Sequence, residues 1–287
     1  MDTITHTLFG FSLYSSIHKD QMDRRTKQAY FFTSIGASQI PDSDVISQLW
    51  DTEGLYQMWH RGITHSIFLT PIWALLFYVV CLLIFKVRDR RIFFLGWLAV
   101  VIHDTSDLFN AWGTGYLEPF SQDRITFGTI PIIDFVFWGI IGSCYYLSRK
   151  KVTKRPYYFR AAWLLMALHV VLQSLQGYYF YQKYNQDYEQ IALSAGFIPT
   201  TFQVIAKQEG SVTILQDGIF QRKETQYVLH SKEDADLEYL FSKSPKAKTL
   251  YQWSPFVVVI DDGNRLGIYD PRFYRNGQSF LFESITR

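Results

Sequence analysis

Residues 60–85 read HRGITHSIFLTPIWALLFYVVCLLIF: two histidines and an arginine stand at the head of a run that carries no further charge. A helix needs about 20 mainly apolar residues to cross the hydrocarbon core of a bilayer. Thr64 to Phe85 meets that length, so the stretch predicts a membrane-spanning helix with ionisable groups at its entrance, Thr64 serving as N-cap. Those groups fit an interfacial anchor, or one corner of a metal site where helices meet water. His60 and His65 are five apart, about 140° on one regular helix. They converge only if the chain bends near Gly62.

The same test applied outward finds Phe159–Tyr181 long enough to span, with Ile92–Phe109 and Ile130–Leu147 nearly so. Residues 3–18 and 28–40 are shorter and broken by Gly or Ser, and read as short spans, a tilted pair or a re-entrant hairpin. Beyond residue 196 the pattern changes to the strand-like runs TFQVIAK, SVTILQD, QYVLHS, PFVVVIDD and SFLFES, with QEG, DDGNR and YRNGQ as turns. The expected fold is an α-helical multi-pass membrane bundle of four to six helices over residues 1–185. A small, mainly antiparallel β domain is expected over 196–287.

Lys and Arg favour cytoplasmic loops. HKDQMDRRTK (18–27), KVRDRR (86–91) and SRKKVTKR (148–155) are basic, whereas 41–62 and 107–129 hold one arginine each. The N-terminus, those two segments and the β domain are therefore expected on the extracytoplasmic side. The net charge is +2, and the basic residues lie in short loops instead of on one face, so no nucleic-acid partner is expected. The first residues lack a basic region and a small-residue cleavage site, which argues against a removable signal peptide. Cys81 and Cys144 each sit within an apolar run, where free thiols are expected.

Four separate segments deliver ionisable groups to the predicted outer side. Asp2 and His6 are four apart and share one side of a helix. Asp42 and Asp44 follow Pro41, then come His60, Arg61 and His65. HDTSD places His103 and Asp107 four apart, with Asp104 turned about 100° from them. Singly, each has a plain reading as a packing histidine, a solvated loop acid or a lipid anchor. Jointly they offer a mixed nitrogen and oxygen ligand set, suited to zinc, manganese or iron more than to calcium. Candidates exceed four, so either two ions bind or some residues serve as base and support. Arg124, after Gly113 and Gly115, is placed to hold a phosphate or carboxylate. Asp134 is expected to partner Arg124 or to orient a metal-bound histidine.

MDTITH, PDSD, HRGITHS, HDTSD and GTGYLEPFSQDR, in this order over about residues 1–135, are similar to the bacterial membrane-bound metal-dependent hydrolase family, the inner-membrane group related to YdjM. HRG-x-THS is the most specific element. The longer form with a C-terminal domain resembles the YfhP-like subgroup. The resemblance implies a multi-pass cell-membrane protein with a hydrolytic metal site. By match of motif it implies His6, Asp42, Asp44, His60, His65, His103 and Asp107 as metal residues, with no departure at these positions.

The expected activity is attack of metal-activated water on an ester, a phosphoester foremost, of a lipid or lipid-linked substrate at the outer face. One or two divalent ions, zinc foremost, would serve. Asp44 or His60 is the candidate base, Arg61 and Arg124 the candidate headgroup clamps, and Asp2, Asp104 and Asp134 the supporting acids. The alternative is a non-enzymatic metal-binding membrane regulator or assembly factor with a protein partner on the β domain. A transporter is disfavoured because the HDTSD helix continues through LGWLAVVI without another acid, and His169 stands alone.

Overall fold

Apolar runs of the first half fold as helices in the computed structural model, which describes residues 1–287. These are α1 (Thr3–Ser15), α2 (Arg24–Ala37), the single turn α3 (Tyr56–Trp59), α4 (Thr70–Val80, continued by a π turn Cys81–Phe85), α5 (Arg91–Asp107), α6 (Phe135–Lys150) and α7 (Arg155–Tyr184). The chain divides into two units. One comprises Met1–Asp44, Arg61–Thr126 and Pro131–Leu172, the other Val45–His60, Phe127–Ile130 and Gln173–Arg287.

In the first unit the helices pack around Leu13, Ala29, Tyr30, Phe77, Ile92 and Val100. Small residues set their spacing. A Cβ placed on Gly10 would lie 2.5 Å from the Ser34 carbonyl oxygen, so α1 and α2 touch backbone to backbone there. Beside that apolar core the unit buries polar groups and exposes large apolar ones. Ser12, Ser15, Thr33, Ser34, His103 and Asp104 are buried, whereas Ile72, Leu75, Leu83, Phe94, Leu98 and Leu164 are exposed.

Three expectations change here. The helix expected from Thr64 starts at Thr70, because Ile63–His65 forms a separate 3₁₀ turn and Pro71 suits only the first turn of the next helix. The helix expected from Ile130 starts at Phe135, capped by the Asp134 carboxylate, which accepts from the Val136 and Phe137 amides. Only Val152–Tyr184 is, taken singly, long and apolar enough to cross a membrane. The pair Tyr56–His65 and Thr70–Phe85, bent by 70°, makes a second if it counts as one span. The other helices of the unit, at 13 to 17 residues, reach about 20–26 Å against a core of about 30 Å.

The second unit holds the antiparallel β domain. Strands β1 (Gln190–Ala195), β2 (Thr201–Gln208), β3 (Ser211–Gly218) and β4 (Gln221–His230) form a meander in sequence order. After helices α8 (Leu237–Lys243) and α9 (Pro245–Trp253), strands β5 (Val258–Asp261), β6 (Arg265–Tyr269) and β9 (Phe282–Thr286) make a second sheet. Strands β7 (Tyr274–Arg275) and β8 (Gln278–Ser279) form a small hairpin. Asn276 and Gly277 both have positive φ, as its two-residue turn requires. The Asp262 carboxylate closes the other predicted turn by accepting from the Asn264 and Arg265 amides. The last turns of α7 pack on the meander through Phe180 and Tyr184 against Phe202 and Leu215. Cys81 and Cys144 are free and buried.

Candidate metal centre

Helix direction gathers the ionisable residues. Asp2 caps α1 by accepting from the Ile4 and Thr5 amides, which sets His6 on the first turn. The chain runs away along α1 and returns along α2, so Asp42, in the 3₁₀ segment Ile40–Leu49, lies back at the starting end. His65 closes the 3₁₀ turn before α4, and α5 returns to bring His103 and Asp107 on its last turn.

Four donors converge. His65 Nε2 lies 3.3 Å from Asp42 Oδ1 and 3.5 Å from Asp107 Oδ2. His103 Nε2 lies 3.6 Å from Asp42 Oδ1 and 3.8 Å from Asp107 Oδ2. The two Nε2 atoms are 3.2 Å apart. His65, His103 and Asp107 are fully buried, and Asp42 keeps 19% of its side chain exposed. Donors bound tetrahedrally at about 2.0–2.2 Å from an ion sit about 3.4 Å from each other. The five measured separations scatter around that edge length.

The tautomers point the same way. His103 Nδ1 lies 2.8 Å from the carbonyl of Ser38, the C-cap of α2, and a carbonyl can only accept. Nδ1 therefore carries the proton and Nε2 offers a lone pair. His65 Nδ1 faces Thr64 Oγ1 at 3.0 Å and Asp44 Oδ2 at 3.5 Å, which directs its Nε2 lone pair inward as well. Two imidazole lone pairs and two carboxylate oxygens thus meet with no proton among them. A divalent cation fits that set, and the mixture of nitrogen and oxygen matches zinc, manganese or iron chemistry. Burial alone would raise the Asp42 pKa, but the two histidines outweigh it and hold that carboxyl well below the usual range.

Asp107 presents its other oxygen elsewhere. Oδ1 contacts the Met1 amino group and lies 3.4 Å from His6 Nε2. The His6 ring stacks on His103 at 3.6 Å between centroids, and neither of its nitrogens has a hydrogen-bond partner. Burial, ahead of the nearby Arg61, depresses the pKa of the Met1 amine strongly.

Asp44 stands behind this group. Its Oδ2 accepts from the Arg61 amide at 2.9 Å and from the Thr64 hydroxyl at 2.9 Å. Thr64, expected to cap a helix, instead joins this support. Arg61 is buried, with φ of 56°, and its carbonyl accepts from the Gly115 amide at 2.7 Å and from Arg124 Nη1 at 2.9 Å. Its guanidinium reaches Asp107 at 3.1 Å, Asn110 Oδ1 at 2.7 Å and the Met1 carbonyl at 3.2 Å. A left-handed non-glycine residue persists where its surroundings over-determine it, and six contacts do so here. Arg124 also lies 3.9 Å from Glu118, and burial lowers its pKa against the opposing pull of Glu118 and Asp44, which raise it.

The remaining candidates have these partners. The His60 ring stacks on Tyr56. Asp2 is the cap of α1 and lies outside the helix that carries His6, so the expected helical pairing of the two does not form. Asp134 meets His169 Nε2 at 2.8 Å, a partner in neither expectation. Asp104 is fully buried with both oxygens lacking a hydrogen-bond partner. Sequence reasoning missed Asn110 and the Ser38 carbonyl. The spacing of Asn110, three residues past Asp107, was available as a signal, but a backbone acceptor leaves none.

Residues 1–180 match the family model described as YdjM inner membrane protein. A curated relative, the uncharacterized protein YfhP of Bacillus subtilis (strain 168), is 28% identical over a 315-residue alignment that covers this whole chain and 90% of the relative. No solved structure matches the chain.

Proposed function

The chain belongs to the YdjM inner membrane protein family, and from that premise we propose that the cluster is the divalent-metal centre of a hydrolase acting on a phosphoester of a lipid or lipid-linked substrate. The observation that supports this most is the convergence of His65 Nε2, His103 Nε2, Asp42 Oδ1 and Asp107 Oδ2 with both imidazole lone pairs turned inward. A divalent ion held there would lower the pKa of a water and polarise an ester oxygen.

The chain's own residues do the rest. Asp42, the only partly exposed donor, marks the side from which substrate and water enter. Arg61 is committed to Asp107 and Asn110, so it holds a ligand in place and leaves the anionic clamp to Arg124. Asp44 fixes the His65 ring and the Arg61–Thr64 turn. Asp107 turns one oxygen to the other three donors and the other towards His6 and the Met1 amine, so His6 and that oxygen would be the residues to hold a second ion.

The reading carries a multi-pass topology in the cell membrane. Large apolar side chains are exposed on α4, α5, α6 and α7, while polar ones such as Ser12, Thr33 and Ser34 are buried beside the apolar core. The basic loops gather at the helix ends remote from the donors, where Arg155 reaches Ser15 and Arg160 reaches the Ser16 carbonyl. By the positive-inside rule that end faces the cytoplasm and the donors face outward.

One observation favours a second reading, a structural ion in a membrane regulator. Four protein donors complete a tetrahedron, and closed sites of that kind are usually structural. Protein purified in mild detergent, with bound metal measured and then assayed on phospholipids and lipid-linked phosphates, separates the two. Metal-dependent phosphate release that disappears in Arg124→Ala, with metal retained, supports the hydrolase. Retained metal without cleavage of any substrate, and a large loss of thermal stability on chelation, would support the structural reading.

A further inference from the structure

The final turns of α7 and the edge of the β meander carry a pattern that the metal centre does not use. Residues 161–182 hold no Asp, Glu, Lys or Arg, and at about 1.5 Å per residue they give about 33 Å of uncharged helix between Arg160 and Lys183. That length matches a hydrocarbon core of about 30 Å. Lys183 and Tyr184, at the far end of α7, bond Asp217 of β3, each at 2.6 Å. Lys223 of β4 lies over the Tyr184 ring at 5.0 Å, which puts two lysines at one level.

From that level the meander extends back along α7 towards the middle of the apolar stretch. Phe180 packs on Phe202, the Thr200 amide donates to Gln173 Oε1 at 3.2 Å, and the Ile219 amide donates to the Thr200 carbonyl at 3.2 Å. Gln173 lies ten residues, about 15 Å, before Lys183 on the helix. Two loops end beside it. One carries Phe197 and Ile198, the other Ile219 and Phe220, and Phe220 is 90% and Ile198 70% exposed. Tyr178 and Tyr179 are exposed on α7 between these loops and the lysines. Apolar tips, tyrosines and then lysines, stacked along one helix, reproduce the layering of a membrane interface.

We infer that the β1–β2 loop and the β3–β4 hairpin tip insert into the lipid bilayer beside α7, with Lys183 and Lys223 at the level of the phosphates. The occupant of this apolar edge is the acyl region of anionic phospholipid. The inference rests on reading α7 as a span. It gives the β domain a fixed seat on the bilayer, a role separate from the metal centre.

The test uses the full chain in nanodiscs of phosphatidylcholine and phosphatidylglycerol. Cysteines at Phe220→Cys, Ile198→Cys, Leu168→Cys and Gln208→Cys are labelled singly with an environment-sensitive fluorophore. Leu168 lies mid-helix on α7, and Gln208 is exposed at the opposite end of β2. The unsubstituted chain, whose two cysteines are buried, gives the background. The expected result is several-fold stronger quenching by nitroxide lipid than by iodide at 220, 198 and 168, and the reverse at 208. Iodide access at 220 and 198 with lipid quenching at 168 would overturn the inference while leaving α7 a span. Iodide access at 168 would remove the span and the inference together. Shielding of 220 and 198 from both quenchers would show a protein partner there instead of lipid, and equally overturn it.

Discussion

His65 and His103 point their Nε2 atoms at each other across 3.2 Å, each turned by a bond on its own Nδ1. Two facing lone pairs repel, and two carboxylate oxygens beside them add charge of the same sign. Buried supports hold this arrangement, and a cation shared by the four donors would relieve the repulsion.

Asp44 accepts from the Arg61 amide and the Thr64 hydroxyl and lies 3.5 Å from His65 Nδ1. Asp44→Asn keeps every donor but weakens the bond that orients His65. Loss of such a partner typically costs about 10–100-fold in metal affinity. Competition with a chelator of known strength should show that loss with unchanged stoichiometry at saturating metal. An unchanged affinity would mean that Asp44 does not support the ligand.

Arg61 is buried between Asp107, Asn110 and the Met1 carbonyl. Arg61→Met removes the charge and all three bonds, and breaking a buried pair on one side costs about 3–5 kcal/mol. Thermal unfolding in detergent should show a loss of that order, in apo protein as well as in metal-loaded protein. A lipid-anchoring arginine would show almost no change.

Gly10 brings α1 against α2 at the Ser34 carbonyl. Gly10→Val forces those helices apart in a packed interface, at a cost of about 1–3 kcal/mol. Because α1 carries His6 and the end of α2 carries the Ser38 carbonyl that orients His103, the same variant should also weaken metal binding. Unchanged stability would show that the two helices have room to spare.

Lys19, in the basic loop after α1, has its pKa lowered to about 8, first by burial and then by Arg155, from the ordinary 10.5. The folded chain therefore binds fewer protons than the unfolded chain between these values. Stability should rise as pH increases through about 8 towards 10.5. Below pH 8 the buried charge is a fixed cost. The rise should flatten in Lys19→Met, measured by unfolding across that pH range.

Much of the helical half is legible because long apolar runs and i,i+4 pairs such as His103 and Asp107 depend on local spacing alone. The bend required near Gly62 by the five-residue gap between His60 and His65 is present, with Arg61 in the left-handed region. What that bend does to His60 was not legible, because its surroundings are set by residues distant in sequence. The support that Asp44 gives was hidden for the same reason: one of its partners, the Arg61 amide, is a backbone group 17 residues away. Pro71 already signalled that α4 begins late. Helices α8 and α9 had their caps in view, Asp236 and Ser244 before Pro245, but they interrupt a strand-rich stretch.

The central claim is that His65, His103, Asp42 and Asp107 hold a metal ion, and elemental analysis of the purified chain tests it most directly. Wild-type protein should carry at least one divalent transition-metal ion per chain, and His65→Ala and Asp107→Asn should each lose it while remaining folded by circular dichroism. Wild-type protein that binds no divalent metal, even after reconstitution with zinc, manganese or iron, would contradict the account.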